Sequence, residues 1–331
     1  MRAFAYKNTE EVILKSSSGG AFSALVDAAY ALSSDEPVVI GAVWNGKMQV
    51  LHQAAQTRAE CERFRGSKYI QSDMNGIFGI VRDSLAQNKT VLFSGTPCQV
   101  HALNCYAVKN ALPLERLYTA DVICHGTADP RIWRDFVCWL EKRYADRMVG
   151  FDFRDKRKGW KDYPAKATFA GSGTRFDSYD IRTFTRMYFS LLILRRHCFS
   201  CPHTSMNRRS DITLGDFWGI EQVMPRVNPG KGVSLVLVNT CKGETLASLM
   251  ERAAHRDKDH GASMVPCDTR GFIAYQSNLC RPHKMPRLYE RFWKDYTEHS
   301  FDHVLKAYNF FTPANYIRFI LGKCKRMWRK R

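Results

Sequence analysis

Apolar and polar positions alternate along the chain with two periods, and the switching between them predicts most of its elements. Residues 17–32, SSGGAFSALVDAAYAL, read as a helix opened by serines and glycines and rich in small apolar residues suited to close packing. VVIGAVW (38–44) and MQVLHQA (48–54) read as strands around a turn at Asn45 and Gly46. A helix over 75–86, NGIFGIVRDSLA, leads into the short buried strand TVLFSG (90–95) and then into a helix that starts at PCQVHAL. LYTADVICHG (117–126) repeats that strand-then-loop pattern. PRIWRDFVCWLEKRY (130–144) follows it with Ile132, Trp133, Phe136, Val137 and Leu140 on one helical face.

Past residue 150 the pattern changes. FDFRDK (151–156) and AKATFA (165–170) read as strands, with Gly171 and Gly173 at a turn, and a helical stretch over 181–194 delivers the chain to Cys198. ITLGDFWG (212–219) and VSLVLVNT (233–240) read as strands, ETLASLMERAA (244–254) as a helix, and the last sixty residues as mainly helical. Strands alternating with helices imply an α/β fold, a mixed sheet core with flanking helices and a mainly helical C-terminal region. The expected division is 1–150, an N-terminal α/β region; 151–260, a second region with a Cys-x-x-Cys pair and GDFWG; and 261–331, a helical extension with a basic tail. No internal repeat or low-complexity segment is present.

Composition narrows the class. The 331 residues are 45% hydrophobic and 25% charged, as in folded soluble proteins. The longest uncharged apolar run, MYFSLLIL (187–194), is closed off by Arg186 and Arg195 and is too short to span a bilayer. The start has no apolar stretch of signal-peptide length, so the cytoplasm is the expected compartment. The eleven cysteines are then read as reduced thiols or metal ligands rather than as a disulfide framework.

A formal net charge of +18 calls for an anionic partner. No helix-turn-helix, zinc-finger or RNP pattern is found, and the basic residues are scattered, so nucleic acid is not expected as that partner. The end, RFILGKCKRMWRKR (318–331), carries seven basic residues and no acid. It is expected either to touch the inner membrane face as a short basic amphipathic helix or to stay solvated.

The chemistry is concentrated in cysteines and glycine-rich turns. Cys98 stands just beyond a buried strand, where Gly95 and Pro97 set a tight turn and a helix start supplies amide donors. Such a place favours a thiolate, an anion or a metal, although a structural cysteine at a helix start has the same local sequence. Cys124 occupies the matching position after the next strand. Ligands in α/β sheets collect beyond the carboxyl ends of strands, so these two thiols can converge. With Cys198 and Cys201 they make four soft ligands from three loops, a set suited to zinc or to a 4Fe-4S cluster. Zinc could also use His197 or His203, but a structural zinc finger normally brings a second close-spaced pair, which this chain lacks. Cys61, Cys105, Cys138, Cys241, Cys267, Cys280 and Cys324 read as packing residues or exposed bystanders.

KSSSGGAFSAL (15–25) is the second focus. Ser16, Ser17 and Ser18 offer hydroxyls, Gly19 and Gly20 allow close approach to the backbone, and the following helix dipole favours phosphate. RFRGSKYIQSD (63–73) adds Arg63, Arg65, Ser67, Lys68 and Tyr69, cations for a diphosphate and an aromatic for a ring.

Taken in order, SSSGGAFSAL, FRGSKYIQSD, FSGTPCQVHAL, DVICHG, RHCFSCPH and DITLGDFWG resemble the coenzyme F-420 hydrogenase/dehydrogenase beta subunit family over residues 5–240. That family includes hydrogenase beta subunits, 7-hydroxymethyl chlorophyll a reductase, a class of divinyl chlorophyllide reductase, and bacterial proteins encoded beside polysaccharide-synthesis enzymes. The resemblance implies an FAD-binding iron-sulfur oxidoreductase. Carried over by motif, Cys98, Cys124, Cys198 and Cys201 would hold a 4Fe-4S cluster. Ser17, Ser18, Gly19, Gly20, Ser67, Lys68 and Tyr69 would line the flavin site, with Thr96 and Gln99 near flavin and cluster. Asp216 and Trp218 would wall the pocket, or else form a strand end with a core tryptophan.

The resemblance also bears on partners. Many bacterial relatives carry a ferredoxin-like cysteine module ahead of SSSGG, and this chain begins too close to that segment for one, so either a separate ferredoxin or a reduced deazaflavin is the expected donor or the coding start is truncated. Residues that would grip the deazaflavin are not identifiable, which leaves use of coenzyme F-420 open. No GxGxxG segment marks a nicotinamide site. The acceptor is expected to be a small molecule or sugar-linked, in cell-surface polysaccharide synthesis. The rival from another class is a non-catalytic, zinc-stapled accessory of a polysaccharide-assembly complex.

Overall fold

The structure, a computed structural model, describes residues 1–312 and 314–317, so the basic segment 318–331 and its expected membrane contact lie outside the described residues. The strands are β1 (Arg2–Lys7), β2 (Val38–Trp44), β3 (Val50–Ala55), β4 (Val91–Gly95), β5 (Leu117–Val122), β6 (Met148–Asp152), β7 (Lys166–Phe169), β8 (Gly173–Phe176), β9 (Ile212–Asp216), β10 (Ser234–Val238) and β11 (Ser263–Pro266). Eight of them form one sheet in the order β11-β1-β10-β9-β5-β4-β2-β3, and β6, β7 and β8 form a second. The large sheet takes strands from both sides of residue 150.

Within the large sheet β2, β4, β5 and β9 run parallel. Their carboxyl ends therefore share one edge. The antiparallel strand β10 starts at the same edge, with Ser234 opposite Asp216 on β9 and opposite Tyr6 near the end of β1. The loop leaving one parallel strand is thus delivered beside the loop leaving the next.

The helices are α1 (Glu10–Leu14), α2 (Ala21–Leu32), α3 (Ile77–Ala86), α4 (Pro97–Lys109), α5 (Pro130–Tyr144), α6 (Thr183–Phe189), α7 (Ile220–Val223), α8 (Cys241–Arg256), α9 (Tyr289–Glu298) and α10 (Phe301–Ala307). One face of the large sheet, carrying Phe4, Val39, Leu92, Ile212 and Val236, is covered by α2 and α8. The other is covered by α3 and α4 over Ile40 and Phe93, and by residues around Phe217 and Phe272 over Leu235 and Leu237. Both faces being buried explains why β4 and β10 read as nearly unbroken apolar runs. Around the small sheet, α5, α6, α9 and α10 close over Trp133, Phe136, Phe153 and Phe184. The five apolar residues foreseen on one face of α5 are its buried residues. Each large side chain there contributes roughly 1.5–3 kcal/mol by leaving water.

The architecture is the expected α/β fold with a mixed sheet and a helical C-terminal region. Four local readings change. The first long helix starts at Ala21, not 17, because Gly20 takes a left-handed φ of 82° and leaves Ser16–Ser18 in a loop. The hairpin between β2 and β3 turns through Met48 at φ 55°, with Asn45 Oδ1 accepting the amides of Lys47 and Gln49. The strand foreseen over 151–156 runs over 148–152 instead. The helix foreseen over 181–194 ends at Phe189.

Candidate functional site

A short ladder at the carboxyl edge joins three segments far apart in sequence. Ala128 bridges Ile70 on one side and Leu194 on the other. The amide of Ala128 donates to the Tyr69 carbonyl at 2.8 Å, that of Asp129 to Ile193 at 3.0 Å, and that of Arg195 to Thr127 at 2.9 Å. The RGSKYIQ segment, the DVICHG loop and the RRHCFSC segment therefore lie side by side.

Against this ladder opens a cleft of about 320 Å³ lined by Ser17, Ser18, Gly20, Ser67, Lys68, Tyr69, Thr96, Gln99, Asp216 and Trp218. Gly19 lies beneath it and is buried. A Cβ there would stand 2.3 Å from the Tyr6 carbonyl oxygen and 2.5 Å from the Ser234 amide nitrogen, which only glycine avoids. In return the Gly19 amide donates to Ser234 Oγ at 2.9 Å, and Ser18 Oγ donates to the Val233 carbonyl at 2.8 Å. The Ser67 amide donates to Ser17 Oγ at 2.7 Å, which ties the two glycine-containing motifs together across fifty residues. Thr96 and Gln99 form a capping box at the start of α4, and Gln99 Nε2 reaches Ser72 Oγ at 2.8 Å.

Two lysines stiffen the walls. Lys68 Nζ donates to the carbonyls of Phe64, Arg65 and Gly66 at 3.0–3.3 Å, and burial pulls its pKa down to about 8. Lys156 Nζ donates to the Ile13 carbonyl at 2.8 Å and to that of Ser18, and burial pulls it down to about 7. On the far wall Asp216 accepts from Arg154 Nη1 at 2.8 Å and from Trp160 Nε1 at 2.7 Å. The Arg154 guanidinium lies 4.2 Å from the Tyr163 ring centre, Trp160 stacks on Trp218 at 4.9 Å, and Tyr69 stacks on Tyr188 at 4.6 Å. The result is a concave site with amide and lysine groups on one side and flat aromatic rings on the other, the type of lining that suits a nucleotide-like ligand.

The four foreseen thiols meet beside this cleft. Cys124 lines it; burial pushes its pKa up to about 12, and the neighbouring Cys198, Cys98 and Cys201 push the same way. Cys198 is also raised, by burial and by Cys201 and Cys98, against hydrogen bonds from Thr127. Gly126 donates its amide to Cys124 Sγ at 3.4 Å, and Thr96 Oγ1 lies 3.1 Å from Cys98 Sγ. Cys124 Sγ thus accepts a hydrogen bond and lies within electrostatic reach of the other three thiols. Among the described residues no group of three or more His, Cys, Asp or Glu side chains is close enough to hold a single metal ion.

Residues 88–259 of this chain match a family model that describes the C terminus of the coenzyme F420 hydrogenase/dehydrogenase beta subunit. The chain belongs to that family. A chain of the F420-reducing [NiFe] hydrogenase complex from Methanosarcina barkeri, studied by xenon derivatization, is similar in fold: TM-score 0.54 at 15% identity, covering 84% of this chain and 87% of that one. No curated protein matches. Membership in the F420 hydrogenase/dehydrogenase beta subunit family places the chain among proteins of oxidoreductase type. No helix among the described residues is long and apolar enough to cross a membrane.

Several residues that build the site go unread in the sequence. Arg154 and Lys156 fall at the end of the strand expected over 151–156, and Trp160 in the basic stretch after it, and none stands out there as a site residue. The signal that could have found them is an aromatic and two cations directly after an apolar strand. Asp121 and Arg208 form an ion pair at 2.8 Å with both side chains 1% exposed. Arg208 also donates to the carbonyls of Val122 at 3.1 Å and His203 at 3.2 Å, which pins the loop after Cys201 to the strand end before Cys124.

His52 gives a measurable consequence. It lines the cleft, stacks on Phe93 at 5.4 Å, and its Nε2 shares a hydrogen bond with the Ser94 carbonyl at 2.9 Å, while Nδ1 is buried without a partner among the described residues. Burial pulls its pKa from the ordinary 6.5 to about 4. The unfolded chain therefore binds more protons between those values, and the stability held above pH 6.5 is lost as pH falls towards 4, by on the order of 3 kcal/mol. Urea midpoints measured across this window should fall less steeply for His52→Gln than for the native chain. Parallel slopes for the two proteins would contradict the assignment.

Proposed function

We propose that the chain is an FAD- and 4Fe-4S-dependent oxidoreductase that takes electrons from a ferredoxin-like protein or a reduced deazaflavin and passes them to a small-molecule or sugar-linked acceptor. The observation that carries this reading is the convergence of Cys98, Cys124, Cys198 and Cys201 beside the cleft that Cys124 itself lines. The donors Gly126 and Thr127, which bond to Cys124 and Cys198, are of the type that tunes an iron-sulfur group.

In this reading residues 1–150 supply the flavin pocket and two of the thiols, and 151–260 supply Cys198, Cys201 and the Asp216–Trp218 wall. The loop Ser17–Gly20 and the start of α2 would hold the diphosphate, with Lys68 and Lys156 fixing the loop from behind. Tyr69, stacked on Tyr188, bounds the space left for a ring. Arg154 holds Asp216 and Trp218 in place, so the wall next to the acceptor is rigid. When bound, the cluster would supply single-electron transfer and the flavin two-electron storage, two electrons and one proton making up the hydride that leaves. Work in the cytoplasm on cell-surface polysaccharide is the setting proposed from the family resemblance.

Anaerobic purification followed by iron, sulfide and flavin analysis tests this directly. The expected result is a brown protein with about four iron and four sulfide per chain and one FAD released on denaturation. A colourless zinc protein, or one that does not bind FAD on titration, would overturn it.

A further inference from the structure

We infer that the side of the thiol group facing away from the cleft is the docking surface for an acidic protein that carries single electrons, with Lys109 and Arg209 as its charged rim. This rests on the proposed function and assigns it a place on the molecule. Cys124 lines the cleft, whereas Cys98, at the start of α4, is exposed to solvent. The thiols therefore lie between the cleft and the outer surface.

The outer surface has a distinct charge. Segments 97–110 and 195–210, which carry three of the four thiols, contain no aspartate or glutamate, but do contain Lys109, Arg195, Arg196, Arg208 and Arg209. Some of these cations are committed elsewhere: Arg196 to Glu290, Arg195 to Asp129, and Arg208 to Asp121. Lys109 and Arg209 are exposed and make no salt bridge among the described residues. On α4 the positions Cys98, His101, Cys105 and Lys109 fall along one stripe, with His101 Nε2 3.6 Å from Cys105 Sγ. That stripe leads from the thiol to the free cation.

Between the stripe and the loop after Cys201 is a cavity of about 250 Å³ lined by Pro97, His101, Pro202, His203 and Arg209 among others. The imidazoles of His101 and His203 lie 4.9 Å apart across it. Asn104 Nδ2 donates to the Arg209 carbonyl at 2.8 Å, so helix and loop form one fixed frame rather than two mobile arms. A rigid, concave surface whose one carboxylate, Asp121, is buried and paired with Arg208 stands next to an exposed thiol, and it complements an acidic carrier both in charge and in the short path it offers an electron.

The test uses the full-length protein purified anaerobically and an oxidised plant-type 2Fe-2S ferredoxin as the probe, with binding followed by calorimetry. At an ionic strength of ~0.01 M, where the Debye length is about 30 Å, the pair Lys109→Glu and Arg209→Glu should weaken binding about tenfold or more. The pair Arg252→Glu and Arg256→Glu makes the same change in net charge on α8, which packs on the opposite face of the sheet from α4, and should change binding less than about twofold. Both variants should keep their iron and FAD. Equal weakening by the two pairs would mean that only net charge matters, and would overturn the docking surface. A protein that holds iron and FAD but does not bind ferredoxin overturns the docking surface alone; a protein without them overturns the reading beneath it.

Discussion

Serine in place of any one of Cys98, Cys124, Cys198 or Cys201 is expected to remove most of the iron from the protein, whereas serine at Cys138 or Cys280 leaves the iron content unchanged. The contrast follows from position. The first four are electrostatic neighbours at the carboxyl edge of the sheet, while Cys138 is an exposed residue of α5 and Cys280 an exposed residue near the C-terminal helices. A serine hydroxyl keeps the volume of the thiol but is a hard, weakly acidic ligand that soft iron-sulfur groups bind poorly. Iron per chain and the broad visible absorbance should fall together in each single variant. Full iron in the quadruple variant would mean that these thiols do not hold it.

Arg208→Met should be the most destabilising single change away from the thiols, costing about 3–5 kcal/mol. Asp121 is 2% exposed, its Oδ1 has no hydrogen-bond partner among the described residues, and its carboxylate is held against burial by Arg208. Removing the guanidinium takes away the main counter-charge of a buried carboxyl whose pKa burial already raises. It also frees the carbonyls of Val122 and His203, so the loop after Cys201 detaches from the strand end before Cys124. Adding Asp121→Asn should restore most of the stability in urea denaturation without restoring the loop. A single variant within about 1 kcal/mol of the native chain would show that the pair is not coupled in this way.

Which parts of this protein can be read from its sequence depends on whether cause and effect lie close together along it. β4, α4, β5 and α5 are legible because each has its own apolar period and its own terminator, Gly95 or Pro130. The same holds for the cleft: motifs contained in one loop, such as Ser17–Gly20 or Ser67–Tyr69, announce themselves. β1 and β11 escape notice since they begin or end on charged residues or proline and are strands only by virtue of their neighbours. Arg154 and Lys156 escape it because their partners Asp216 and Ser18 stand 62 and 138 residues away. Apart from the tryptophan that follows them, nothing in RDKRKGW says that two of its cations will be buried. His52, within an ordinary alternating strand, is likewise defined by Ser94, forty-two residues on.

The placement of β1 sets an order of events during synthesis. It is made more than two hundred residues before its neighbours in the sheet, β10 and β11, which begin at Ser234 and Ser263. The loop after it leans on Ser234 and Val233 through Gly19 and Ser18. Until those residues have left the ribosome, the opening strand has nothing to pair with and the serine-glycine loop has nothing to rest on. Contacts that span more than two hundred positions form slowly, and their closure gathers the whole edge at once. A nascent chain therefore exposes Cys98 and Cys124 well before the pocket beside them exists, and any prosthetic group the protein carries must be loaded after β10 and β11 have been made.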